Sequence, residues 1–550
     1  MAKSPLIRSL LWAHRQVIGA RRLGMPLAEF VQHATTERQR RRDFLKNTVG
    51  AVALGAGLAA LPSAARAEPP ACRHHPRVAI IGGGMAGLNC AWELKQKGVR
   101  ATIYEAATRV TGRIFTNRTA FASQGMFSDL GGEYIDTGHT TMRALARRYH
   151  LPLLDYNDDA SLIDTYFDFG GRRRTVLDLL NAYQPIADAV DAAYDEFTDP
   201  DGTVLFNDAN GGERLDHLSV RDFLAPIDAE PWIKKLIDVG YETEFGLDGD
   251  DNNCINLIYM ISTDVKKMKQ KGEFDFYGIS DERFHCAKGN DAIPHAVADD
   301  LGDGQIELEH RLTAAGTRAD GRHVLTFANG REVTADHVVF ALPFTLLREV
   351  DLSGLDLPAW KRYAIDHMGY GKITKVITGH HRRVWREQGF IGDAFTDQFF
   401  QSVTETSRMQ PGTTGVLENY TAGRHAVRMG QGSVAEQVQF FHDQVERIYP
   451  GLKSTYNGNK VRMDWHRYPF TKAAYSSYRV GQYTTIAGAE PLRVGNLHFC
   501  GEHTTVEFQG WMEGAARTGA DAAAEVGADL GLCAAPNRCS RRPGCPPANA

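Results

Sequence analysis

The chain has 550 residues, 43% of them hydrophobic and 23% charged, and a formal net charge of −5. That length and apolar content suit two or three folded domains, each burying its own core. With no basic stripe beyond the N-terminal segment, the composition gives no support for nucleic acid as a partner and points to small molecules.

Arg41-Arg42-Asp43-Phe44-Leu45-Lys46 precedes an apolar run from Val49 to Leu61, and Ala65-Arg66-Ala67 comes next as a small-residue cleavage site. This pattern predicts a twin-arginine export signal over residues 1–67, with the translocase as a partner and a periplasmic or secreted destination. The apolar run is too short to span a bilayer and contains Gly50, Gly55 and Gly57. Of the eight cysteines, Cys533, Cys539 and Cys545 fall in a Pro- and Arg-rich tail and lack the Cys-x-x-Cys spacing of a metal site; no His-Glu-x-x-His occurs either. No metal site is expected from these motifs, and no disulfide pairing is readable.

From Arg77 the order is strand, glycine turn, helix and strand: Arg77 to Ile81, the glycines, Leu88 to Gln96, then Ala101 to Tyr104. Thr140 to Asn253 reads as mainly helical, with Met142, Leu145 and Tyr149 on one face and Val176, Leu179, Leu180, Tyr183, Ile186 and Val190 at helical spacing. Strand patterns return at Ile306, Asn329-Gly330 marks a hairpin between Val324 to Phe327 and Arg331 to Thr334, and Val338 to Leu342 is a further strand. Short strands and helices alternate from Leu346 to Val494, and Asn496 to Val526 reads as strand, glycine turn and helix. The expected fold is therefore α/β: a discontinuous Rossmann-like nucleotide-binding domain (76–139, 270–345 and 491–531), a helical subdomain (140–269), an inserted α+β substrate domain (346–490) and a disordered tail (532–550).

In Gly82-Gly83-Gly84-Met85-Ala86-Gly87, Gly82 permits the tight turn, Gly84 lets the backbone approach a pyrophosphate, and Gly87 lets the helix pack on its strand. Phosphates then lie at a helix N-terminus, where free amides favour anions. Glu105 stands 23 residues after Gly82, placed to accept ribose hydroxyls. These residues alone do not separate FAD from NAD.

Four further motifs do separate the two cofactors. Glu105-Ala106-Ala107-Thr108-Arg109-Val110-Thr111-Gly112-Arg113, Asp129-Leu130-Gly131-Gly132-Glu133-Tyr134, Gly501-Glu502 and Gly510-Trp511-Met512-Glu513-Gly514 resemble, in order, the flavin amine oxidase superfamily, which includes monoamine oxidases and L-amino-acid oxidases. The resemblance runs from Val78 to Val526 and skips the helical insert; Thr111 departs from the family's usual glycine. It implies FAD, with contacts from Gly82, Gly84, Met85, Ala86, Gly87, Glu105, Ala106, Arg109, Arg113, Gly131, Gly132, Glu133, Leu312, Gly501, Glu502, Gly510, Trp511 and Met512. Ala474 stands where monoamine oxidases carry the cysteine that binds flavin, so non-covalent FAD is expected. Lys375 falls where the family holds a water against flavin N5, and Tyr475 and Trp511 match the two walls of its aromatic cage.

The resemblance implies hydride transfer from the amine-bearing carbon to flavin, with dioxygen as acceptor and hydrogen peroxide as product. The motifs divide on substrate. Trp511 and Val384-Trp385-Arg386-Glu387 resemble L-amino-acid oxidases, whereas Tyr475 and Leu130-Gly131-Gly132-Glu133 look equally like amine oxidases. Tyr134 stands where some L-amino-acid oxidases place a carboxylate-binding arginine, while Glu133, Asp136 and Glu513 are candidates to favour a cationic side chain. The first expectation is an exported L-amino-acid oxidase, with basic amino acids as candidate substrates and Glu133, Tyr134, Tyr475 and Trp511 in the substrate site; the second is a primary amine or polyamine oxidase. A homodimer is compatible with the sequence.

Overall fold

The computed structural model describes residues 76–159, 162–199, 202–260 and 280–532. The export signal and the chain beyond Leu532 lie outside the described residues. Val78–Ile81 is buried along its whole length because it pairs on both sides, with Ala101–Tyr104 and His337–Phe340, all in parallel. Leu497–Phe499 and Ile306–Glu307 complete a five-stranded parallel sheet at its two edges. Such a sheet needs both faces covered, and its Val- and Ile-rich strands supply the apolar surface. One face carries the fingerprint helix, Met85–Gln96, and the final helix, Met512–Asp529.

These two helices lie almost backbone to backbone. A Cβ on Gly519 would overlap the carbonyl of Ala86, and the Asn89 amide donates to the Ala516 carbonyl at 2.7 Å. The Gly- and Ala-rich composition of the final helix is thus a packing requirement, and it joins the two ends of the sequence in one layer.

The Asn329-Gly330 hairpin forms as expected, His323–Phe327 against Glu332–Ala335, but in a separate four-stranded sheet with Leu312–Thr317 and Asp351–Gly354. A seven-stranded sheet, in the order 456–464, 373–380, 415–422, 402–405, 390–396, 163–169 and 172–174, forms the wall opposite the nucleotide layer. Its last two strands come from the stretch expected to be helical. That stretch does contain the helices Val176–Tyr194 and Pro231–Phe245, whose Leu179, Tyr183, Ile186, Val190, Ile233 and Leu236 are buried in one large core. It also contributes Ile163–Phe169, which pairs in parallel with Phe390–Thr396. The first helix of the stretch, Thr140–Arg148, packs Met142 and Leu145 into the core of the nucleotide layer instead. Local periodicity could not reveal either partnership, because both are made by residues far away in sequence. Cys90, Cys254, Cys286 and Cys500 are buried free thiols.

Candidate active site

A cavity open to solvent runs from Glu105 past the starts of the fingerprint and final helices to Tyr420. Its nucleotide end is built by close backbone contacts. Gly82 has φ +113°, a conformation that L side chains rarely adopt, and a Cβ on Gly87 would overlap the Gly82 carbonyl. Glu105 is held in place by amides of its own loops, accepting from Gly83 N at 2.7 Å and Ala107 N at 2.8 Å. Thr111 adopts φ +81°, so the residue that replaces the family's glycine keeps the glycine conformation; its hydroxyl accepts from Arg109 at 2.9 Å.

Neither the fingerprint helix nor the final helix has a side-chain cap, and their first residues, Met85 and Met512, line the cavity. Two uncapped helix N-termini present free amides and positive dipole ends to the same space, an environment suited to pyrophosphate at one and to an anionic ring at the other. The residues present therefore fit FAD. Glu502 organises the junction: it accepts from Arg113 at 2.7 Å, the Ser476 hydroxyl at 2.8 Å and Gly510 N at 2.8 Å. Burial pushes its carboxyl upward, but Arg113, His503 and Ser476 outweigh it and hold the pKa below the ordinary value.

At the other end, Lys375 lies on a wholly buried strand, opposite Tyr420 on one neighbour and Met463 on the other. Its ammonium stands 3.0 Å from Glu133 Oε2 and 3.1 Å from Glu418 Oε1. Glu418 is two residues from Tyr420, so alternation along the strand puts both on the lysine's face. Burial alone would lower the Lys375 pKa; the two glutamates outweigh it and hold it above the ordinary lysine range. Burial pushes Glu418 well above the carboxylate range even though Lys375 opposes it. One cation between two buried carboxyls reaches neutrality when one of them keeps a proton, and Glu418 is the one so displaced.

Tyr475 and Trp511 both line this end. Tyr475 donates to the Thr243 carbonyl at 3.1 Å and shares a 2.9 Å hydrogen bond with Tyr420. Trp511 meets His139 edge-on at 4.8 Å, and its indole N–H has no protein partner among the described residues.

Of the residues expected to bind the cofactor, Gly82, Gly84, Met85, Ala86, Glu105, Ala106, Arg109, Arg113, Gly131, Gly132, Glu133, Gly501, Glu502, Gly510, Trp511 and Met512 line the cavity. Gly87 acts from behind, through helix packing. Leu312 is a correction: its side chain packs in the large core and does not line the cavity. Asp136 and Glu513 are corrections as well. Glu513 accepts from Thr141 N and Met142 N at 2.9 Å, capping the helix that begins at Thr140, and Asp136 accepts from Glu282 N at 2.8 Å. Neither faces the cavity, so only Glu133 of that acidic trio does. Trp385 and Arg386 are structural too, both donating to buried Glu405. Sequence reasoning missed Glu418, Tyr420 and Thr243; Glu418 and Tyr420 alternate on a strand adjacent to the Lys375 strand, and only the register brings them to it.

Comparison with known proteins agrees with this geometry. The pattern of the flavin containing amine oxidoreductases matches residues 85–527. The protein YobN of Bacillus subtilis (strain 168), which carries an L-amino-acid oxidase name, is 23% identical over 83% of this chain and 95% of its own. A flavin-containing amine oxidase of Oncorhynchus mykiss is 21% identical over 82% of this chain and 86% of its own. The cyclohexylamine oxidase of Brevibacterium oxydans IH-35A superposes with a TM-score of 0.70 at 20% identity, over 83% of this chain and 100% of its own, which shows a shared fold.

Proposed function

Because this chain belongs to the flavin containing amine oxidoreductases and its cofactor is FAD, we propose that it oxidises an amine lacking a carboxylate, using dioxygen and releasing hydrogen peroxide. One observation carries the choice. Among the described cavity-lining residues the cations are Arg109, Arg113 and Lys375, and none is free to hold a carboxylate at the substrate end. Arg113 is bound by Glu502 and the Ala474 carbonyl, Arg109 by the Val110 and Gly112 carbonyls, and Lys375 by two glutamates. Where an arginine would form the clamp, Tyr134 lines the wall. The cavity thus favours the second of the two sequence expectations.

FAD supplies the hydride acceptor. The chain's residues do the rest: Tyr475, Tyr420 and Trp511, which line the cavity, shape an aromatic slot that orients a C–H bond and attracts an approaching ammonium. Only the neutral amine has the lone pair that assists hydride loss, and Lys375 with Glu133 holds a polar position beside the slot. Ala474 offers no thiol, which supports non-covalent cofactor binding.

The L-amino-acid oxidase reading keeps the support of the YobN likeness. A peroxidase-coupled assay with matched pairs decides between them: L-arginine against agmatine, L-lysine against cadaverine, L-phenylalanine against phenethylamine. Peroxide from the decarboxylated partners is expected; peroxide from the acids alone overturns the reading. Export is proposed on the Arg41-Arg42 motif and the Ala65-Arg66-Ala67 site; mutation of both arginines to lysine should retain the protein in the cytoplasm, and unchanged export would refute it.

A further inference from the structure

At the edge of the parallel sheet remote from the Met512 end of the final helix, three side chains from three elements converge. His337 Nδ1 lies 3.5 Å from His498 Nε2, and these atoms lie 3.8 and 3.7 Å from Asp529 Oδ2. The two histidines sit on neighbouring strands, with Val339 opposite His498, so alternation puts both on one face. Asp529 is the last residue of the helix Met512–Asp529 that covers that face.

We propose that His337, His498 and Asp529 form a binding site for a divalent transition-metal ion of the zinc class. A triangle with edges of 3.5, 3.7 and 3.8 Å has a centre about 2.1 Å from each corner, and zinc takes His nitrogen at about 2.0–2.1 Å and carboxylate oxygen at about 2.0–2.2 Å. The donors thus stand within a few tenths of an ångström of the spacing a tetrahedral ion needs, a gap that small side-chain rotations close. The orientation is also fixed from outside. Glu525 Oε2 lies 3.0 Å from His498 Nδ1, so that nitrogen carries the proton and Nε2 presents its lone pair inward. The carbonyl end of an 18-residue helix adds a partial negative charge beside the ion.

Asp529, the most exposed of the three, gives a path from solvent and leaves a fourth position for water. Arg493 donates to the same Asp529 oxygen at 2.6 Å and competes with the ion, so affinity is moderate. The ion would tie the final helix to two strands. The site lies outside the FAD cavity and is independent of the substrate reading.

The test uses the FAD-loaded full chain, stripped with a chelator, then titrated with Zn²⁺ against a chromophoric competitor. One equivalent is expected, with the thermal midpoint rising roughly 5 °C at hundredfold excess over the dissociation constant. Glu525→Gln should weaken binding about 10–100-fold, and Asp529→Asn should weaken it further, both with unchanged FAD content. The His337→Gln/His498→Gln double variant should lose binding. No saturable Zn²⁺ in the parent, or one equivalent bound as tightly by the Asp529→Asn and Glu525→Gln proteins, overturns the proposal.

Discussion

Lys375 and Glu418 meet at 3.1 Å across adjacent antiparallel strands, and Oε2 of that glutamate has no hydrogen-bond partner among the described residues. A buried carboxyl in that position is better neutral than ionised, because Glu133 already balances the lysine. Glu418→Gln, a near isostere of the protonated acid, should keep its FAD and stay within about threefold of parental flavin reduction at pH 7. Glu133→Gln should be slowed more than about tenfold, since the ammonium then lacks its balancing charge. Anaerobic stopped-flow reduction by substrate measures both; a Glu418→Gln protein slower than Glu133→Gln would show the proton assigned to the wrong carboxyl.

The proposed preference for amines without a carboxylate can be tested at Tyr134, which lines the cavity. Tyr134→Arg places a guanidinium on the cavity wall, and the ratio of kcat/KM for L-arginine over agmatine should rise by about tenfold or more, the worth of one charge-assisted pair at about 1.5–3 kcal/mol. An unchanged ratio would mean that the substrate does not pass this wall.

Tyr420 and Tyr475 are joined through their hydroxyls at 2.9 Å. Tyr420→Phe keeps the ring and deletes the bridge, a net loss of about 0.5–1.5 kcal/mol. KM for the best amine should rise about 3–10-fold with kcat nearly unchanged, because the bridge orients a wall and touches no reacting bond. A fall confined to kcat would place Tyr420 in the chemistry itself.

Gly87→Ala would push a methyl into the Gly82 carbonyl and lift the fingerprint helix off its strand, at a cost of about 1–3 kcal/mol. The purified protein should show a reduced ratio of absorbance at flavin and protein wavelengths. Gly138→Ala, where nothing lies within 4 Å of the new methyl, is the control and should load FAD normally.

His380 and His442 are buried beside each other, their rings 5.4 Å apart, and burial pushes their pKa values down to about 3 and about 4. Their unfolded value is about 6.5, so the unfolded chain binds more protons as pH falls from about 6.5 to about 3. The stability contributed by the neutral rings is complete above about pH 6.5 and is lost as pH falls through that window. His380→Asn should be less stable than the parent in urea unfolding near neutral pH, where the hydrogen bonds to Thr378 and Thr455 matter. The gap should narrow on acidification from about pH 6.5 to about 4. A gap that widens instead would contradict the neutral assignment.

The nucleotide-binding unit and its cofactor were legible in the chain before any folding. Glycines at 82 and 87 are demanded by close backbone contacts, and the Glu105, Gly131-Gly132 and Gly510-Trp511 motifs are local enough to be read without a partner. Lys375, Tyr475 and Trp511 were marked as well, because each sits in a short recognisable context. Their surroundings were settled by long-range pairing. Glu418 looks like an ordinary strand residue until the register of Gly415–Ala422 against Ile373–His380 turns it toward Lys375. Glu513, beside the final motif in sequence, points away to cap a helix 372 residues earlier. His337 and His498 lie 161 residues apart and share a face only because their strands pair. Motifs record constraints of the backbone on itself, whereas charge balance, clamps and ligand sets come from side chains that tertiary contacts alone bring within 4 Å.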